Sequence, residues 1–177
     1  MQIKCGSMIN EQKLNLACGQ SKIDGYFGID IKPGDTVDAT MDLEQFPWDI
    51  ESESAEEIIC SHYVEHTSDL IKFMDEVYRI LKPGGRIKVI APYYNSMRCW
   101  QDPTHKRAIS EATFLYFNKQ WRETNKLDHY GIQSDFDFVY GYDITPEWAN
   151  RSEEARNFAI KHYTNVINDI HVTLTKK

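Results

Sequence analysis

Short apolar runs alternate with longer amphipathic stretches along this chain. The runs rich in β-branched residues predict strands over Lys13 to Cys18, Phe27 to Ile31, Glu57 to Ser61 and Arg86 to Pro92. Apolar residues recur at helical spacing from Leu70 to Leu81, which predicts a helix that Thr67 or Ser68 caps and that Lys82 to Gly85 ends. A helix between two strands of one sheet predicts a right-handed crossover, and therefore a parallel sheet.

The second half of the chain is less regular. Residues Tyr93 to Arg107 show little periodicity, so we expect a long loop beyond the strand that ends at Pro92. A short helix is predicted from a Ser110 cap to Phe117, and residues 118–134 receive no assignment. The pattern then predicts a strand over Phe136 to Ile144, a helix over Ser152 to Tyr163 and a final strand over Asp169 to Thr175.

Composition restricts the class of protein and its partners. The 177 residues, 41% of them hydrophobic, fit a single domain over residues 1–177 with one core. A formal charge of -7 argues against nucleic acid as a bulk partner. Cys5, Cys18, Cys60 and Cys99 form no C-x-x-C pair, which indicates a reducing compartment. No signal peptide and no apolar run of about 20 residues is present, so we expect a cytoplasmic protein without a membrane partner.

Candidate ligand-binding residues follow the predicted strands, because ligands of an open α/β sheet bind outside the carboxyl ends of its strands. Gly19 follows the first strand and would let a ligand approach bare backbone. Asp30 ends the second strand and could accept both hydroxyls of a ribose. Asp42 and Leu43 form a polar and apolar pair that suits an adenine.

Two further groups lie after the later strands. Ser61 and His62 follow the third predicted strand. The long loop holds Tyr93, Tyr94, Asp102 and His105, which could cover the pocket and receive a second ligand. Asp102 could instead hold His105 as a structural loop histidine, and the tyrosines could be core packing. Cys18 and Cys60 are expected to be buried and inert.

Four segments together resemble one enzyme superfamily: Leu14 to Gly19, Gly28 to Asp30, Ser61 to His66 and Leu81 to Gly85. Their order and spacing are similar to those of class I S-adenosylmethionine-dependent methyltransferases. Asp102 to His105 resembles an Asp-Pro-Thr-His element of the compact type 11 group. The resemblance implies a doubly wound, mostly parallel, Rossmann-like α/β sheet with an antiparallel C-terminal strand. It also implies methyl transfer from S-adenosyl-L-methionine to an unidentified acceptor, for which a small molecule is expected.

The resemblance also implies roles for individual residues. The cofactor would be held by Ala17, Cys18 and Gly19 at its methionine part, Asp30 at its ribose, Asp42 and Leu43 at its adenine, and Ser61 and His62 beside its sulfonium, with Ile31 as a further cofactor contact. The acceptor would be held by Tyr93, Tyr94, Asp102 and His105. His105 or His62 would remove the acceptor's proton.

Two departures from the family pattern affect the cofactor site. The usual G-x-G-x-G loop is reduced to Gly19 followed by Gln20, Ser21 and Lys22. Only ten residues separate Gly19 from Asp30, so the first helix must be shortened or missing. We expect this shortening to expose one face of the sheet unless the terminal segments or a partner subunit, as in a homodimer, cover it.

Three other interpretations stay open. His62 to His66 matches the H-x-x-E-H of inverted zinc peptidases, but the segment straddles a strand end and a helix start without a third ligand, so we expect no metal. A nicotinamide-dependent oxidoreductase would use a similar turn and acid, but G-x-G-x-x-G is missing. A catalytically silent protein that binds the cofactor and regulates another enzyme is the third interpretation.

Overall fold

A seven-stranded sheet lies at the centre of the computed structural model, which describes residues 8–177. The strand order is β3-β2-β1-β4-β5-β7-β6. The strands are β1 Lys13–Leu16, β2 Phe27–Asp30, β3 Ala39–Thr40, β4 Ala55–Ser61, β5 Leu81–Pro92, β6 Phe136–Ile144 and β7 Ile167–Lys176. β1 to β5 pair in parallel, and β7 runs antiparallel to both of its neighbours. The predicted fold class, including the antiparallel C-terminal strand, is confirmed.

Six α-helices and one 3₁₀ turn are present in the described part of the chain. They are α1 Leu70–Ile80, α2 Met97–Gln101, α3 Glu111–Leu115, α4 Lys119–Thr124, α5 Pro146–Ala149 and α6 Glu153–His162, with the 3₁₀ turn over Asp128–Tyr130. Only α1 and α6 are longer than six residues. Across residues 8–177 we find no helix whose length and apolarity would let it cross a bilayer.

α1 is the helix predicted between the strands β4 and β5. Its N-cap is Asp69, whose carboxylate accepts a hydrogen bond from the Lys72 N–H at 3.0 Å. The predicted caps Thr67 and Ser68 are wrong. The Lys72 N–H is bound by Asp69, the Ser68 hydroxyl instead accepts a hydrogen bond from Lys106 Nζ, and Thr67 is fully buried.

The buried stripe of α1 packs against the apolar face of the sheet. It consists of Leu70, Phe73, Met74, Val77 and Ile80. The helix ends at Ile80, one residue before the predicted end, because Leu81 is extended and begins β5. Of the strand connections before β5, this is the only one that carries a helix within residues 8–177.

The connections between β1, β2, β3 and β4 carry no helix in residues 17–54. The predicted loss of the first helix is confirmed, and the two following connections lack one as well. Residues 31–38 instead lie directly against the sheet. The Asp38 carboxylate accepts a hydrogen bond from the Gly28 N–H at 2.7 Å, and a Cβ at Gly28 would clash with the Thr36 carbonyl oxygen. Only glycine fits at that position without moving backbone.

The two faces of the sheet differ in polarity. On one face the strands bury Leu14, Leu16, Ile58, Ile87, Val89, Val172 and Leu174. The alternating residues on the other face include Lys13, Glu57, Arg86, Lys88, Thr173 and Thr175, which are exposed or half-buried. Lys13 and Glu57 form an ion pair there at 3.5 Å. This polar face agrees with the exposure expected from the short first crossover.

The second half follows the predicted elements with shifted ends. α3 begins after Ser110 as predicted but ends at Leu115, and α6 begins after a Ser152 cap. The predicted loop over residues 93–107 contains the short helix α2, and the unassigned residues 118–134 contain α4 and the 3₁₀ turn. Cys5, expected to be an unpaired thiol, lies outside the described residues.

Candidate functional site

The carboxyl ends of four parallel strands meet at one edge of the sheet. β1, β2, β4 and β5 end at Leu16, Asp30, Ser61 and Pro92. The sequence-predicted residues Ala17 to Gly19, Asp30 and Ser61 to His62 therefore lie along one edge. This is the edge at which open α/β sheets bind their ligands.

Gly19 and Asp30 meet directly at this edge. The Gly19 N–H donates a hydrogen bond to Asp30 Oδ2 at 2.8 Å, and the Lys32 N–H donates to Oδ1 at 3.2 Å. Ala17 and Gly19 both have φ of 52°, a left-handed conformation that turns the chain sharply after β1. A Cβ at Gly19 would meet no atom within 4 Å, so the space beside its backbone is open. The two strands thus present bare backbone and a fixed carboxylate together.

Two neighbours of this pair have contrasting environments. Cys18 is buried, with Sγ 3.6 Å from the Thr36 carbonyl oxygen, and burial raises the pKa of its thiol. The thiol therefore stays protonated near neutral pH, as expected for an inert cysteine. Ile31 is 59% exposed directly after Asp30. It leaves an apolar surface free beside the carboxylate.

The predicted adenine pair is divided between surface and core. The half-buried Asp42 carboxylate accepts a hydrogen bond from the Glu44 N–H at 3.0 Å. Leu43 is buried in the hydrophobic core, and its carbonyl accepts a hydrogen bond from Trp48 Nε1 at 3.2 Å. Asp42 is therefore the member of the pair that is accessible to solvent.

His62 stands between two cavities at the end of β4. Its φ of 54° directs the chain out of the strand, and its N–H donates to the Ile90 carbonyl at 2.8 Å. One cavity of about 370 Å³ also contains Glu65, His66 and His105, and a second of about 590 Å³ also contains Ser61 and His171. His62 Nδ1 lies 3.4 Å from Glu65 Oε1, and the neighbouring Glu65 carboxylate raises the pKa of His62. Its side chain is 46% exposed.

The predicted acceptor tyrosines lie in different environments. Tyr93 is buried, donates its phenolic hydrogen to Glu111 Oε2 at 3.2 Å, and packs edge-on against Tyr142. Burial raises the pKa of the Tyr93 phenol. This arrangement agrees with the core-packing alternative for Tyr93. Tyr94 is 44% exposed and remains accessible to a ligand.

Asp102 and His105 lie in the same loop without a direct hydrogen bond. Asp102 Oδ1 accepts from the Thr104 N–H and hydroxyl, at 2.8 and 2.7 Å, which lowers the pKa of Asp102. His105 Nε2 is 3.9 Å from Asp102 Oδ2, whereas His105 Nδ1 is 2.8 Å from the Cys99 carbonyl oxygen. The main partner of His105 is therefore backbone, not the predicted aspartate.

The loop is fixed over the end of β4. The Lys106 N–H donates to the Glu65 carbonyl at 2.8 Å, and the Arg107 guanidinium donates to the carbonyls of Val64 and Ser68. These contacts bring His105 beside the turn that follows His62. The Tyr93 to Arg107 loop thus forms one wall of the smaller cavity, through Arg98, Gln101, Asp102 and His105.

Arg98 and Asp169 are site residues that the sequence interpretation missed. Arg98 lines the smaller cavity and Asp169 the larger one, and the two side chains form an ion pair at 2.7 Å. Asp169 is the buried acid at the start of an otherwise alternating apolar strand. That departure from the strand pattern was the available signal. The position of its partner, 71 residues away, was not available from the pattern.

Comparisons with known proteins show which family and which folds this chain is similar to. Residues 12–89 match the family described as a methyltransferase domain. A solved S-adenosylmethionine-dependent methyltransferase from Archaeoglobus fulgidus superposes with a TM-score of 0.63 at 17% identity, over 97% of this chain and 87% of that one. The putative methyltransferase in a Haloferax volcanii complex with the activator Trm112 superposes with a TM-score of 0.53 at 16% identity. The match covers 97% of this chain and 84% of that one.

A third solved structure is larger than this chain. Haemonchus contortus phosphoethanolamine N-methyltransferase 2, in complex with S-adenosyl-L-methionine, has a TM-score of 0.50 at 16% identity, over 97% of this chain and 50% of that one. At these identities the likeness establishes the fold. A comparison with curated proteins found no match.

Proposed function

We propose that this chain transfers a methyl group to a small-molecule acceptor, because residues 12–89 match a methyltransferase domain and the fold is that of solved S-adenosylmethionine-dependent methyltransferases. The family match and the fold indicate S-adenosyl-L-methionine as the cofactor. When bound, the cofactor supplies an electrophilic methyl group, so the protein has mainly to position the acceptor.

The observation that carries the proposal is the contact of Gly19 with Asp30. The hydrogen bond at 2.8 Å orients the carboxylate, and the space beside Gly19 is open. In the proposed complex the backbone of Ala17 to Gly19 contacts the methionine part of the cofactor and Asp30 binds its ribose. Ile31 and Asp42, which are accessible to solvent, would face the adenine, and Leu43 would support this region from the core.

The acceptor is proposed to bind where the two cavities meet at His62. Ser61 and His62 would lie beside the sulfonium, and His62 is the residue that lines both cavities. Tyr94, Asp102 and His105 of the loop would enclose the acceptor, and Tyr93 would hold the loop in place from the core. For an acceptor that carries a proton, His62 is the proposed base because its ring is half-exposed between the two cavities.

The proposal is tested by replacing Asp30. Asp30→Ala removes the hydrogen-bond acceptor for the ribose, so we expect the affinity for S-adenosyl-L-methionine to fall by about 10- to 100-fold in calorimetry. Asp35→Ala changes an exposed aspartate of the following segment and should leave the affinity unchanged. Equal affinities of Asp30→Ala and the unchanged protein would contradict the proposed ribose contact.

A catalytically silent cofactor-binding protein is the second candidate. The helix-free turn after Gly19 favours it, because that turn offers the cofactor fewer backbone amides than a glycine-rich loop leading into a helix. Formation of S-adenosylhomocysteine with any acceptor in a small-molecule screen would exclude it. NAD titration in the same assay tests the nicotinamide-dependent alternative.

Two predictions concern assembly and location. A homodimer would cover the polar face of the sheet, and light scattering of the purified chain tests it. We further propose a cytoplasmic location for a single-domain protein, which cell fractionation tests.

A further inference from the structure

Glu65 is a buried carboxylate without a hydrogen-bond partner in the described part of the chain. The residue is 1% exposed, it lines the smaller cavity, and neither of its carboxylate oxygens accepts a hydrogen bond. The nearest basic atom, His62 Nδ1, is 3.4 Å away without hydrogen-bond geometry. A buried carboxylate in this condition carries a desolvation cost that a cation in the cavity would offset.

Two histidines face the same cavity beside Glu65. His66 follows Glu65 in the turn before α1, and His105 comes from the loop that is fixed over that turn. One ligand atom from each of Glu65, His66 and His105 can be chosen so that all three lie within 4.8 Å of one another. The two imidazole rings meet edge to face with centroids 4.7 Å apart.

The hydrogen bonds of the two histidines determine which ring nitrogen is free. The Thr104 hydroxyl donates to Asp102 at 2.7 Å, so its oxygen accepts from His66 Nδ1 at 3.0 Å. His105 Nδ1 faces the Cys99 carbonyl, which can only accept. Both neutral rings therefore carry their proton on Nδ1 and their lone pair on Nε2. Metal-binding histidines are oriented in this way, with the second nitrogen donating to a carbonyl or to a carboxylate-linked group.

We propose that Glu65, His66 and His105 bind a divalent metal ion, with zinc as the best-matched ion. Two imidazoles and one carboxylate with an open fourth position form a common set of zinc ligands. Zinc bonds of about 2.0–2.1 Å place tetrahedral ligand atoms about 3.4 Å apart. Side-chain rotations that move the three ligand atoms by about an ångström would bring them to this spacing. The expectation of no metal considered only the H-x-x-E-H segment, and His105 supplies the third ligand from a separate loop.

Cobalt provides a direct test, because Co²⁺ occupies zinc sites and gives visible absorption that depends on its coordination. The chain, prepared without a histidine tag and treated with a chelator, is titrated with Co²⁺ in the absence of S-adenosylmethionine. We expect one equivalent to bind, visible bands to appear, and Zn²⁺ to displace the cobalt. Failure to take up one equivalent with these bands would overturn the proposal.

Variants assign the ligands. Glu65→Gln, His66→Gln and His105→Gln should each lower the Co²⁺ affinity by tenfold or more. The matched control is His129→Gln, which changes an exposed histidine outside the cavity and should leave the affinity unchanged. If all four variants bind Co²⁺ like the unchanged chain, the ion is held by other surface groups and the site is refuted.

A fifth variant keeps the test independent of folding. Thr104→Val changes an exposed side chain and removes the hydroxyl that accepts from His66 and donates to Asp102, so we expect about a 10- to 100-fold loss of metal affinity with an unchanged circular dichroism spectrum. An unchanged affinity for this variant would contradict the assigned His66 tautomer. Calorimetry of Glu65→Gln with S-adenosyl-L-methionine separates the proposed metal site from the proposed cofactor site. A variant that loses the metal but still binds the cofactor, or one that keeps the metal but loses the cofactor, shows that the two proposals fail independently.

Discussion

The region from β1 to β3 and the unit β4-α1-β5 are ordered in different ways. In the first region short strands are joined without helices, and polar contacts such as those of Gly28 with Asp38 and of Gly19 with Asp30 hold the connections. In the second a full helix buries an apolar stripe that includes Phe73 and Met74. The first region therefore depends on close backbone approach and hydrogen bonds, and the second on apolar burial.

This contrast indicates which helices the fold can lose. A parallel sheet with one polar face needs no helix over that face, because the exposed groups there are hydrated. The apolar face keeps α1 since leaving its strands uncovered would expose the core. Substitutions should therefore act by different mechanisms in the two regions, and three predictions test this.

The largest effect is expected in the helical unit. Phe73→Ala leaves a cavity next to Trp48 and Tyr63, whose rings lie 5.5 and 5.4 Å from the Phe73 ring. The free energy of unfolding should fall by about 3–5 kcal/mol in a denaturant titration. Ile71→Ala on the exposed side of the same helix should cost less than about 1 kcal/mol. Similar losses for both variants would show that α1 is not anchored by its apolar stripe.

A smaller loss is expected in the helix-free region. Gly28→Ala forces the new Cβ against the Thr36 carbonyl, so we expect a loss of about 2–3 kcal/mol in the free energy of unfolding. Gly34→Ala is the matched control in the same segment, where the nearest atom lies 3.8 Å from the Cβ, and should change stability by less than about 0.5 kcal/mol. A stable Gly28→Ala protein would mean that residues 31–38 do not pack against β2 in solution.

The smallest effect concerns Glu44, which links the two regions. Burial raises the pKa of this carboxyl, but hydrogen bonds from Ser68 and Tyr63 outweigh burial and lower the pKa to about 2. Since the folded-state pKa lies below the unfolded value near 4.5, the stabilisation is present above pH 4.5 and is lost as the pH falls toward 2.

Replacing Glu44 tests that linkage. Glu44→Gln should lower the free energy of unfolding by about 1–2 kcal/mol at pH 7, after allowance for solvent screening, and by much less near pH 2. The measurement is urea unfolding at a series of pH values. The exposed Glu11→Gln variant is the control, and a deficit in Glu44→Gln that is the same at pH 7 and pH 2 would contradict the assignment.

Much of the fold was predictable because its elements have strong local patterns. The alternating and helical periodicities gave β1, β2, β4, β5, β6, β7, α1 and α6, with ends shifted by a few residues. The two-residue β3 and the short helices α2 and α4 have no such pattern. The α1 cap was misassigned by one residue, because the neighbouring Asp69 can also cap and its carboxylate binds the Lys72 N–H.

The candidate site was predictable only in part. Residues that end strands, such as Gly19, Asp30 and His62, could be found because strand ends are visible in the sequence. The importance of Glu65 could not be found in this way, because its burial and unpartnered oxygens depend on the loop that carries His105.

The strands, the main helix, the loss of the first helix and the residues that follow each strand could be predicted from the sequence, because these depend on periodicity and chain length. Which of those residues meet depends on how the chain packs. The contact of Gly19 with Asp30 and the cluster of Glu65, His66 and His105 form across separate segments. Hydrogen bonds and ligand geometry depend on distances of a few ångströms, and only the packed chain fixes these.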